Sequence, residues 1–190
     1  TAHDTETGKK ELLNVLPLCL ELPVELHASI AGAVLDGMWT FVAAHPNSLH
    51  TEQEWTQFLR PLMAFSRIRR ARCARAARGL GTYLIENEAN RYNYATLVEQ
   101  LRELALAADR ALWRSAAESV NGPRRTLTEK REQSNWEAAV REQSVAAVVT
   151  LQKSAGTVPE IVRSVPWTAC WLPLLASLAQ PVSYTHLRAH

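Results

Sequence analysis

At 190 residues and 47% hydrophobic composition, the chain is long enough to bury one sizeable core or a short run of stacked helical units, which excludes disorder over most of its length. Its 21 basic and 19 acidic residues leave a formal charge of +2, too balanced for a protein whose whole surface meets nucleic acid. Cys19, Cys73 and Cys170 lie far apart with no C-x-x-C spacing, which argues against a disulfide scaffold or a cysteine zinc site and for a reducing, cytosolic setting.

Few glycines and aromatics against abundant Ala, Leu, Glu and Arg predict an all-α fold. The polar opening TAHDTETGKK, followed by an apolar stretch punctuated by Pro17 and Pro23, predicts a poorly ordered segment over 1–23 and firm helical order only after Pro23. From Glu25 to Ala44, Leu26, Ile30, Val34, Met38, Phe41 and Val42 recur at helical spacing and predict one buried helical face, and HPN at 45–47 stops the element. Thr51 and Glu54 have the spacing of a capping box, and Trp55, Phe58, Leu59 and Leu62 follow as a buried face.

A third helix runs through SRIRRARCARAARGLGTYLIENEA with Cys73, Ala77, Leu80 and Leu84 on one face and Arg72, Arg75 and Arg78 pointing the other way. After a break at NRYN, Asn93 is placed to cap a long helix that turns Leu97, Leu101, Leu104, Ala108 and Leu112 inward and ends before NGP at 121–123. The polar stretch 121–133 reads as an exposed linker, and SNWE at 134–137 as the capping box of a helix reaching Gly156. A last helix near Trp167 would carry Cys170, Trp171, Leu174, Leu175 and Leu178. About six helices with short turns and no strand pattern fit a stacked α-solenoid better than a closed four-helix bundle. The longest apolar run, 165–179, is shorter than the roughly 20 residues a bilayer span needs, and Pro166 and Pro173 interrupt it.

The run RIRRARCARAAR holds six arginines in the twelve positions 67–78, and guanidinium forks suit phosphate oxygens of nucleic acid or anionic lipid. A solvated helix face is the stronger alternative, because no aromatics interleave for base stacking and Glu86 and Glu88 follow. The six histidines have no metal-ligand spacing. GLG at 79–81 lacks a dinucleotide loop's other glycines and reads as a close helix crossing. Cys170 is assigned to packing, and most of the six tryptophans to inter-helix anchoring. No catalytic, cofactor or metal site is expected.

Three stretches in order carry a family resemblance: LHTEQEWTQFLRPL at 49–62, YLIENEANRYNYATLVEQLREL at 83–104 and WTACWLPLLASLAQ at 167–180. Together they resemble the region downstream of the Sec7 domain in large Arf guanine nucleotide exchange factors of the Golgi brefeldin-resistance and GNOM class. The matching positions include Asn87, Glu88, Ala89, Tyr92 and Asn93, then Trp167, Cys170, Trp171, Pro173, Leu174 and Leu175. YATLV after Asn93 departs from the pattern, and 121–133 matches nothing in it.

The resemblance implies a HEAT/armadillo-like α-solenoid segment over 24–180, cytoplasmic and peripheral on Golgi membranes. It implies a non-catalytic part of an exchange factor, serving membrane recruitment, autoregulation or docking of Arf- or Rab-type GTPases and trafficking factors. It makes Arg72, Arg75 and Arg78 a candidate contact for anionic lipid or a GTPase. The rival classes are a generic helical-repeat scaffold and a basic-helix nucleic-acid-binding domain.

The chain starts at Thr1 without a methionine and ends in PVSYTHLRAH, which breaks the preceding helical period. Val182 to His190 can be spelled in codons that resemble a sequencing adapter read through in frame, so 181–190 is expected to be an artefact outside the fold.

Overall fold

The computed structural model describes residues 2–121 and 126–156, with side-chain surroundings for 5–107 and 126–154. Among them the protein is all-α: α1 Ala2–Glu21, α2 Val24–Ala44, α3 Glu52–Ser66, α4 Ala71–Asn87, α5 Tyr94–Asn121 and α6 Leu127–Gly156, with no strand. The helix expected near Trp167 and the segment 181–190 lie outside the described residues, as do Cys170 and Trp171.

The N-terminal expectation is corrected. Residues 2–21 form a continuous helix with Pro17 inside it, and Leu13 and Leu16 are buried in the common core. An interior proline forfeits one backbone hydrogen bond and costs about 3 kcal/mol in a helix. Burying a leucine returns roughly 1.5–3 kcal/mol, so two of them offset the break. Pro23 does mark a boundary, as the residue preceding α2.

The second correction concerns α6. Thr126 accepts the backbone N–H of Glu129 at 3.3 Å, and the Glu129 carboxylate accepts the Thr126 N–H at 2.7 Å, so the capping box is Thr126–Glu129 rather than Ser134–Glu137. The helix therefore opens at Leu127, and 127–133 is its first two turns, not linker. Asn93 behaves differently from expectation too. Its amide oxygen accepts the Asn90 N–H and its Nδ2 donates to the Glu88 carbonyl, so the side chain fastens the preceding turn.

On α2 the buried face is turned from the expected one: Ala31 and Leu35 are buried with Met38 and Val42, Ile30, Val34 and Phe41 are half-buried, and Leu26 is exposed. α3, α4 and α5 follow the sequence closely. Thr51 and Glu54 close the predicted box on α3, and Trp55, Phe58, Leu59 and Leu62 are buried behind it. Cys73, Ala77, Leu80 and Leu84 are buried on α4, as are Leu97, Leu101 and Leu104 on α5. The GLG crossing is close indeed. A Cβ on Gly79 would stand 2.3 Å from the Trp39 ring of α2, and one on Gly81 would stand 2.2 Å from Gln100 Oε1 of α5.

Helix α4 packs against α2, α3, α5 and α6, so it occupies the centre of the fold. Odd-numbered helices touch in series, α1 with α3 and α3 with α5, while α2 touches α4 and α4 touches α6. Length and composition alone would let α2 cross a membrane, at a mean hydropathy of 1.2. One face of it, Ala31, Leu35, Met38 and Val42, is buried in the protein core, and its Asp36 pairs with Arg72 of α4.

Candidate functional site

The arginine run spans the α3–α4 turn, and its members leave in different directions because the backbone breaks at 67–70 before α4 begins. Arg67 grips Glu103 of α5 through two parallel bonds, Nε to Oε2 at 2.9 Å and Nη2 to Oε1 at 2.8 Å. Such a fork is the strongest arginine–carboxylate geometry, and Glu103 raises the guanidinium pKa further. Arg69 lies 4.7 Å over the Trp136 ring of α6, an attraction between cation and aromatic face. Arg70 pairs with Glu132, one turn into α6.

Within α4, the three arginines expected on one face part company. Arg72 donates to Asp36 of α2 at 2.7 Å, and that bond raises its pKa. Arg78 is half-buried and donates to Gln143 of α6 at 2.9 Å. Arg75 is exposed and makes no hydrogen bond or ion pair with a described residue. The i, i+3, i+6 spacing spreads these side chains over about a third of the helix circumference, wide enough to reach neighbours on both sides. Five of the six arginines are thus engaged with three different helices, leaving Arg75 as the one open to a ligand.

Beside the turn is a groove of about 170 Å³ lined by Ala74, Leu104, Val140 and Trp136, with the Arg67–Glu103 pair at its edge. Small-molecule pockets run roughly 300–1,000 Å³, so this one has room for a side chain at most. Cys73 beneath the run is buried, and burial pushes its thiol pKa up despite the coulombic pull of Arg70 and Arg72, which leaves it a poor nucleophile. Among the described residues no three His, Cys, Asp or Glu side chains gather as a metal site would require.

Two junctions that the sequence did not announce hold the opposite end of the helices. The buried Lys9 ammonium of α1 donates to the Ser48 carbonyl at 3.2 Å and pairs with Glu6 and Glu54, each at 2.9 Å. Burial works against the Glu54 carboxylate, yet Lys9 and the backbone N–H groups of His50 and Thr51 hold its pKa down to about 2. Lys9 stands in register with Leu12, Leu13, Leu16 and Leu20, and a cation inside an apolar period is the signal that could have revealed it. Nearby, both oxygens of buried Glu88 accept the Asn47 N–H, at 3.0 and 3.1 Å. Asn47 has φ 56°, a left-handed conformation that asparagine tolerates and that turns its N–H toward α4.

Comparison with protein-family models, with curated proteins and with solved structures finds no match to this chain.

Proposed function

We propose that the chain is a HEAT/armadillo-like α-solenoid segment that acts by docking macromolecules and carries out no catalysis itself. The supporting observation is the serial packing, in which every helix touches its chain neighbour and the next helix but one. A closed bundle would bring first and last helices together, whereas among the described helices α1 packs chiefly on α3 and α2. The arginine clamps fit this reading, because each ties α4 to an adjoining unit rather than presenting a phosphate-binding strip.

Within it, the resemblance of 49–62 and 83–104 supports a regulatory segment of a Sec7-family Arf guanine nucleotide exchange factor in Golgi vesicle trafficking. Those stretches supply the α3 capping box, buried Trp55 and the Glu88 carboxylate that accepts the Asn47 N–H, features a repeat region needs for turns between helices. Its setting is the cytoplasmic face of Golgi membranes, and its partners are Arf- or Rab-type GTPases, trafficking factors or anionic lipid. The test adds the purified chain to a Sec7 exchange domain, Arf and anionic liposomes. The chain alone leaves nucleotide exchange at background, and adding it changes the Sec7-driven rate; an unchanged rate contradicts the proposal. Any direct lipid contact falls to Arg75, so Arg75→Glu weakens sedimentation with phosphoinositide liposomes while Arg72→Glu changes it much less. Equal losses would contradict that assignment.

A further inference from the structure

Among the described residues, nothing covers one flank of the first helical pair, and its chemistry points to what fits there. Val15 and Leu18 lie at i and i+3 on α1, Leu22 follows in the turn just after it, and Val24 and Leu26 stand at the start of α2. All five are exposed, from 39% at Leu22 to 75% at Val24. On α1, Val15 and Leu18 lie on the side away from Leu13 and Leu16, which enter the core. Single exposed aliphatics are ordinary on a protein surface, whereas five within a twelve-residue stretch that crosses one helix–helix turn suit an interaction site.

Carboxylates outnumber cations around this stripe. Glu11 lies on it one turn before Val15, Glu21 flanks Leu18 and Leu22, and Glu25 sits between Val24 and Leu26. All three carboxylates are exposed, and none makes an ion pair or hydrogen bond with a described residue. Lys10, an exposed cation of α1, lies about 80° of helix rotation from Leu18, at the edge of the stripe. A second copy of the same face would bring carboxylates against carboxylates, and an anionic bilayer would repel them.

We propose that this face docks an amphipathic helix whose apolar stripe is flanked by Lys or Arg, laid along α1 and the start of α2. Val15 and Leu18 present an apolar edge of α1 that Leu22 extends across the turn, a surface a partner helix can pack against. Glu11, Glu21 and Glu25 set the sign and orientation of the partner, since complementary charge at a rim steers encounter and rejects the wrong partner. The proposal names the partner class for the scaffold reading and rests on it.

The experiment uses the whole chain and two labelled model helices of equal length and apolar content, one Leu/Lys and one Leu/Glu, followed by fluorescence anisotropy. The Leu/Lys helix is expected to bind, more weakly as salt rises, and the Leu/Glu helix to bind at least about tenfold more weakly. Leu18→Glu with Leu22→Glu abolishes binding. Glu11→Lys, Glu21→Lys and Glu25→Lys together reverse the preference toward the Leu/Glu helix. These positions are exposed, so circular dichroism should show unchanged helix content and any loss reports on docking. Equal binding of both helices, or no effect of either variant set, overturns the proposal. So does concentration-dependent dimerisation or vesicle binding that Leu18→Glu removes, because each assigns the face to another occupant. Failure here with the Arf exchange effect intact removes the docking site alone, whereas loss of that effect removes the regulatory role.

Discussion

Position by position, the tightest coupling of charge to structure is at Glu54, which serves as capping carboxylate and as partner of Lys9 at once. Its folded pKa of about 2 lies below the ordinary 4.5, so its stabilisation is fully present above pH 4.5 and disappears as pH falls toward 2. Urea unfolding at pH 7 and pH 3 should show the wild type losing more stability than Glu54→Gln; parallel losses would contradict the assignment. Glycines test packing at the same scale. Gly79→Ala meets Trp39, which is 38% exposed and free to swing outward, and alanine's better helix propensity offsets the movement. Gly81→Ala meets fully buried Gln100, whose amide already holds the Ala77 carbonyl, and overpacking there costs about 1–3 kcal/mol. Thermal melts should therefore separate the two variants, with Gly81→Ala clearly the less stable.

Among the helices, legibility followed the kind of signal each carried. Where apolar residues recur at helical spacing, as at Cys73, Ala77, Leu80 and Leu84, the buried face was readable because periodicity is a local property. α1 was misjudged because Pro17 and a polar start look like breakers, and only contact with α3 supplies the burial that outweighs them. α6 was misplaced by a turn or two because TLTE and SNWE have the same capping pattern, and choosing between them takes the hydrogen bonds. The arginine run was read as one face because sequence gives rotation about a helix but not the neighbours, Asp36 and Gln143, waiting on either side. For the cap, Thr126→Ala should lower stability by about 1 kcal/mol and Ser134→Ala should leave it within ~0.5 kcal/mol. Chemical denaturation of both variants checks this; the reverse order would restore the later helix start.

At the scale of the molecule, the described helices pack on their chain neighbours and on the next helix but one. α4 joins α2, α3, α5 and α6, so damage to its core face should spread further than damage at α1. Leu80→Ala, at a fully buried site on α4, should cost about 2–5 kcal/mol and raise hydrogen exchange in the helices on both sides. Leu16→Ala should cost a similar amount locally yet leave α6 protection unchanged, as expected where stability is a sum over adjoining units. The most direct measurement of serial stacking is paramagnetic relaxation from a nitroxide on α1, introduced as Glu11→Cys in a background with the three native cysteines replaced. The account predicts broadened amides in α2 and α3 with those of α6 unaffected; equal broadening in α6 would mean that the helices close on themselves and would contradict it.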